Sequence, residues 1–248
     1  MNEEFWDRFR YANAEAALKN FNKFVDEGII LIPDVSEPHL DTIKREVDSY
    51  IYLGNIIDIL MSSIREQFGL LPSCSKGCAY CCYQAVFITS FEARIIWQWI
   101  TLQTDSKERI ERLKHRLRIW RERIQGSGLT QTVNTYQFKK RYFQARLRCP
   151  FLNNDKSCSI YPVRPTPCRT YFSFGNPERC LSNAFVPDTY DGEPWRQIIL
   201  AMFAFSYEST RYKVPSNVSK LKKEMELLDL LPNAMMKFAF DDSLSSSE

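Results

Sequence analysis

Residues 43–68 read IKREVDSYIYLGNIIDILMSSIREQF, and this stretch decides the fold class. Ile43, Val47, Tyr50, Gly54, Ile57, Met61, Ile64 and Phe68 recur at alternating spacings of four and three. That spacing lines one face of an α-helix, here of about eight turns. Gly54 alone interrupts the apolar stripe. Ile51, Ile59 and Leu60 broaden the face beyond a two-stranded seam, so the segment is expected as a bundle helix rather than a dimeric coiled coil.

Working outward, residues 3–27 also read as helical, with Gly28 as the C-terminal stop. Ala85–Thr89 is a short extended candidate. Thr89 and Glu92 have capping-box spacing and open a helix containing Ile95, Ile96, Trp97 and Trp99. Ile110, Leu113, Leu117, Trp120 and Ile124 predict a helix over about 105–125, and Gly126-Ser127-Gly128 predicts the turn after it. Further helices are expected around 129–147, 194–208 and 217–230. Residues 149–192 hold six of the twelve prolines and read as irregular loop. The expected class is therefore mainly α: a helical bundle carrying a cysteine- and proline-rich, loop-rich metal-binding layer. The expected division is an N-terminal helical region over 1–70, a cysteine-cluster domain over 71–190, C-terminal helices over 191–240, and a disordered acidic, serine-rich tail over 241–248.

Composition sets the frame for the chemistry. Hydrophobic residues make up 44% and charged residues 25% of the 248, as in ordinary globular proteins. A chain of this length buries roughly 70–75% of its unfolded surface, so it needs no metal merely to close a core. The N-terminal residues carry charge without an apolar h-region, and no apolar cluster is long enough to span a bilayer, which gives a cytoplasmic expectation with no membrane partner.

In that reducing compartment the eight cysteines are expected as metal ligands or redox groups rather than disulfides. Cys74, Cys78, Cys81 and Cys82 fall within nine residues. Cys149, Cys158, Cys168 and Cys180 are spread through the proline-rich segment. Such a density of thiols suits soft or borderline metals. Gly77 permits a tight backbone path that lets Cys74, Cys78 and Cys81 converge. If Cys81 and Cys82 lie in an extended stretch, they point oppositely and cannot bind one ion together. Eight thiols fill two four-thiolate sites, or one with spares, and the sequence leaves both open. The C-x3-C-x2-C spacing and the Cys149-Pro150 dipeptide lean towards an iron–sulfur cluster, probed against zinc, whose sites usually pair two C-x2-C knuckles.

The run Cys74 to Cys82, then Cys149-Pro150-Phe151-Leu152, then Cys158-Ser159-Ile160-Tyr161-Pro162-Val163-Arg164-Pro165-Thr166-Pro167-Cys168-Arg169, resembles the YkgJ-type cysteine-cluster family, described as zinc- or iron-chelating. The resemblance covers roughly residues 70–185. All eight cysteines are candidate metal ligands, with Cys81 and Cys82 either serving two different metals or one of them not being a ligand, and the resemblance tips Lys76, Arg164 and Arg169 towards contacts with the bound group. Flagellin lysine N-methylases resemble the same family and are associated with an iron–sulfur cluster. That likeness implies a transferase acting on a protein or small molecule with S-adenosylmethionine. No G-x-G-x-x-G or P-loop accompanies it. The radical S-adenosylmethionine signature shares the C-x3-C-x2-C spacing, with Tyr80 before Cys81, but the chain after Cys82 lacks repeating strand–helix units.

The remaining polar residues read plainly. His39 and His115 are expected at the surface. Tyr161 and Tyr171 are expected to pack around the site. Residues 105–148 hold thirteen Lys or Arg against four Asp or Glu, an excess of nine. The apolar stripe within this segment assigns its basic face to solvent. Stacking of nucleic-acid bases on Tyr136, Phe138, Tyr142 and Phe143 is the alternative. A non-catalytic zinc scaffold contacting protein or nucleic acid is the competing functional class.

Overall fold

The computed structural model describes residues 3–26, 40–70, 77–129, 134–174, 180, 189–190 and 228–240. Helices α1 (Glu3–Asp26) and α2 (Leu40–Gln67) precede the first cysteine segment. After it come strand β1 (Phe87–Thr89) and helices α3 (Ser90–Thr101), α4 (Ser106–Gly126) and α5 (Tyr136–Gln144). The second cysteine segment contains α6 (Thr166–Thr170), β2 (Phe172–Ser173) and β3 (Thr189–Tyr190), and the described chain ends with β4 (Leu228–Leu230) and α7 (Leu231–Ala239). The fold is mainly α, as the periodicity predicts.

The stripe on α2 faces the core. Val47, Tyr50, Gly54, Ile57, Met61 and Ile64 are all buried, while Ile43 and Phe68 are half-buried at its ends. It packs on α3, whose Phe91, Ile95, Ile96 and Ile100 are buried. Helix α3 packs on α4 and α7, and α4 turns Leu113, Leu117, Trp120 and Ile124 inward. Each of these large side chains contributes roughly 1.5–3 kcal/mol by leaving water, which is why the helical spacing of apolar residues dictates the assembly. Phe9 of α1 joins the same core, with its ring edge-on to Phe68 at 5.4 Å and Phe174 at 6.0 Å.

Two small antiparallel pairs pin the layers together. Strand β1 pairs with β4, Ile88 opposite Asp229, and β2 pairs with β3. Thr89 ends β1 and caps α3: its side chain accepts from the Glu92 N–H at 3.1 Å, and the Glu92 carboxylate accepts from the Thr89 N–H at 3.0 Å. This is the predicted capping box.

The structure differs from the sequence reading in three places. Residues 228–230, expected at the end of a helix, form β4, because β1 offers an edge to pair with and Pro232 belongs in the first turn of the helix that follows. That helix, α7, shows apolar residues at Leu231, Ala234, Met235 and Ala239, a spacing not exploited in the sequence reading. Helix α5 is shorter than expected, ending at Gln144. The helices expected at 194–208 and over 217–227, the Gly28 stop and the 241–248 tail lie outside the described residues.

Candidate metal centre

The first cysteine segment enters through Gly77 at φ +90°, a left-handed backbone conformation that an L side chain resists. Tyr80–Tyr83 then forms a 3-10 turn, with Cys82 N–H donating to the Ala79 carbonyl and Gln84 N–H to the Cys81 carbonyl, both at 3.0 Å. This corrects the extended conformation assumed for Cys81 and Cys82. In a 3-10 turn neighbouring side chains diverge by about a third of a turn rather than opposing one another, and the two thiols hydrogen-bond each other.

The second segment is tied to the first by its backbone: Cys149 N–H donates to the Cys82 carbonyl at 2.8 Å. Residues 149–160 fold into a tight hairpin, with Ser159 N–H on the Phe151 carbonyl, Asn153 N–H on the Ser157 carbonyl, and Leu152 bridging Cys158. Two arginines from the basic segment grip it. Arg116 donates to the Pro150 carbonyl at 3.1 Å and to Asn153 Oδ1. Arg148 donates to the Leu152 and Asn153 carbonyls at 3.0 and 2.8 Å. The basic face of residues 105–148 is thus only partly a solvated one. The sequence reading missed this role because most of the acceptors are backbone carbonyls, 4 to 34 residues away, which no residue type announces.

Helix α6 presents Cys168. Its first residue, Thr166, donates its N–H to Glu92 Oε1 at 2.8 Å, so a fully buried carboxylate caps α3 with one oxygen and anchors α6 with the other. The Tyr50 hydroxyl stands 3.5 Å from Glu92 Oε1 and from the Arg164 carbonyl.

The thiols of Cys81, Cys149, Cys158 and Cys168, carried on three segments, influence one another's ionisation. Burial first, then the charges of Cys149, Cys81 and Cys158, push the Cys168 thiol well up from its ordinary value. Burial drives Cys149 up to about 12, and Cys158 and Cys81 add to it. Cys158 is raised by burial and by Cys81, and Cys81 by its hydrogen bond to Cys82, then burial. Every pair among the four is therefore within electrostatic reach. Opposing influences are built in. Backbone N–H groups of Phe151 and Leu152 donate to the Cys149 sulfur, that of Ile160 donates to the Cys158 sulfur, and Arg164 favours the thiolates of Cys81, Cys158 and Cys168. Buried Cys180 is likewise raised, chiefly by burial, with Cys78 and Cys81 contributing and the Ser173 hydroxyl opposing. None of the seven described cysteines is paired in a disulfide.

Arg164 and Arg169 share one acceptor, Asp58 of α2. Arg169 donates to Asp58 Oδ2 at 2.6 Å and to the Pro162 carbonyl at 3.0 Å, and Arg164 reaches Asp58 Oδ2 at 3.2 Å. Arg164 also stacks over the exposed Tyr161 ring at 4.4 Å, and its buried Nε has no acceptor among the described residues. Tyr171 accepts from the Gln84 amide at 3.2 Å, just past the Cys81–Cys82 turn. Sequence reasoning missed Asp58, although the Gly54 break one turn earlier marked the place. His115 is exposed, as expected; Cys74, Lys76 and His39 lie outside the described residues.

The donor set fits a metal or a metal–sulfur group: clustered thiols, amide N–H groups aimed at sulfur, and an orphaned guanidinium N–H beside them. Among the described residues, no group of three or more His, Cys, Asp or Glu side chains stands in a geometry that could hold one ion. No described helix is long and apolar enough to cross a membrane.

Comparison with curated proteins and with solved structures gives no match. Residues 73–185, under half of the chain but containing all eight cysteines, match the family model CxxCxxCC, described as a "putative zinc- or iron-chelating domain".

Proposed function

We propose that this chain is an iron–sulfur protein whose cluster is held by Cys81, Cys149, Cys158 and Cys168. The reading is supported by the match of residues 73–185, which contain these cysteines, to a zinc- or iron-chelating domain, and by the influence of the four thiols on one another's ionisation. Iron is favoured by the Cys149-Pro150 dipeptide. The bound group would supply electron-transfer or Lewis-acid chemistry. Around it, the Phe151, Leu152 and Ile160 N–H groups and the Arg164 guanidinium offset thiolate charge, while Asp58 fixes that guanidinium in place.

Cys78, Cys82 and Cys180 exceed what one four-thiolate site uses, which favours an active centre over a staple. With the likeness to lysine N-methylases, this makes group transfer to a protein or small molecule, with S-adenosylmethionine as donor, the activity to assay. A zinc scaffold is the second reading. It is favoured by the amide donors at Phe151, Leu152 and Ile160, since such N–H contacts to sulfur equally suit a closed tetrahedral site.

Iron, zinc and acid-labile sulfide in anaerobically purified protein, with its visible spectrum, decide between the two. Brown protein with iron and sulfide is expected. Colourless protein holding zinc would give the second reading, and metal-free protein that takes up neither would remove both.

A further inference from the structure

Apart from the thiols, the fold forms a cleft of about 300 Å³ between the N-terminal half of α4 and the Pro150–Ile160 hairpin. Arg109, Arg112 and Arg116 line one wall at spacings of three and four, so they share a face of the helix. The aromatic side chains of Trp99 and Phe151 and the aliphatic one of Ile160 also line it, Phe151 and Ile160 being largely buried. Asp105 is the one acidic residue of the lining, so the cleft carries an excess of positive charge.

That charge is poorly neutralised. Among the described residues, the ion pairs of Arg109 and Arg112 are local ones, with the preceding Asp105 at 2.6 Å and with Glu108 at 2.9 Å. Arg109 also lies over the Trp99 ring at 5.4 Å, and Glu108 is 74% exposed. Such surface pairs hold weakly and exchange readily. Among the described residues Arg116 donates to the neutral Pro150 carbonyl and Asn153 Oδ1, and burial, then Arg148 and Arg112, disfavour its charge while Cys149 opposes them. Planar guanidinium groups present paired donors matched to carboxylate or phosphate oxygens.

We propose that this cleft binds a small anion, a phosphate or carboxylate group carried on a flat apolar body, with the anion on Arg112 and Arg116 and the body against Trp99 and Phe151. The volume sits at the small end of the range for ligand pockets, which suits a single ring better than a nucleotide. Pro150 and Phe151 follow Cys149 directly, so the ligand would press on the same hairpin that carries two of the clustered thiols. The proposal does not depend on which metal the thiols bind.

The test is calorimetric titration of the metal-loaded full chain with phenyl phosphate, inorganic phosphate and phenol. Phenyl phosphate is expected to bind more tightly than either fragment. Arg112→Gln and Arg116→Gln are each expected to weaken it by about 10- to 100-fold, as loss of a charge-assisted contact does. Arg112 is half exposed and among the described residues pairs only with Glu108, so its variant keeps the fold even if Arg116→Gln loosens the hairpin. Phenol binding as tightly as phenyl phosphate would overturn the anion site. Inorganic phosphate binding equally well would overturn the apolar subsite. Undiminished binding in the Arg112→Gln protein, or no binding of phenyl phosphate to the parent, would overturn the proposal.

Discussion

Gly54 makes room for Arg169. A Cβ built at Gly54 would lie 2.6 Å from Arg169 Cζ and 2.7 Å from one of its η nitrogens. The one break in the apolar stripe of α2 is therefore the slot through which a 2% exposed guanidinium reaches Asp58. The other end of Arg169 belongs to α6, next to Cys168. A helix of the bundle thus fixes the position of one of the four thiols through a missing side chain.

Gly54→Ala should accordingly destabilise the protein, although alanine is the better helix former. The added methyl displaces the guanidinium, costing about 1–3 kcal/mol as overpacking does and loosening the Asp58 pair. Gly126→Ala is the control. It sits at the end of α4 with nothing within 4 Å of its Cβ, and it should be neutral or stabilising by up to about 1 kcal/mol. Urea unfolding of both variants measures the difference, and equal midpoints would contradict the steric account.

Glu92→Gln tests the link between the α3 cap and α6. The carboxylate accepts from the Thr89 N–H and from the Thr166 N–H with different oxygens. A carboxamide keeps one acceptor and turns a donor towards the other N–H. The cost is about 1–3 kcal/mol for a buried unpaired group. Helix α6 should loosen with it, so retained metal should fall in parallel with stability. Stability loss with undiminished metal would separate the two roles.

The metal-free protein should weaken on the alkaline side. Burial raises the thiols of Cys149, to about 12, and of Cys158 and Cys168 in the folded state, and the hydrogen bond to Cys82, then burial, raises that of Cys81. An unfolded thiol ionises near 8.5. The stabilisation is full below that value and is lost as pH rises from about 9 through the folded values. Metal binding needs thiolates, so the loaded protein should respond oppositely, releasing metal as pH falls. Urea midpoints of both forms between pH 7.5 and 10.5 check this. A metal-free midpoint that is flat across that window would show the thiols to be solvated.

How much of this was legible beforehand follows from how local each cause is. The α2 stripe, the Thr89–Glu92 capping box and the α4 stripe depend on residues within a few positions of one another, and their spacing carries the signal. Gly54 looked like a defect because its reason, Arg169, lies on α6. Strand β4 was hidden because it exists through pairing with β1, far back in the chain. The eight cysteines announced a thiol centre by number and density. How the two cysteine segments are joined did not follow from spacing, since it depends on the Cys149–Cys82 backbone bond and the 3-10 turn at Tyr80–Tyr83. Arg169, grouped with Arg164 as a contact of the bound group, donates to Asp58 and Pro162, whereas the charge of Arg164 reaches three of the thiols.

The central claim is that Cys81, Cys149, Cys158 and Cys168 hold the metal. Metal content of anaerobically purified Cys158→Ser and Cys168→Ser proteins, beside His115→Ala, tests it most directly. The account predicts that both serine variants lose most of their iron and visible absorbance while His115→Ala keeps both. Full metal in the two serine variants would contradict it.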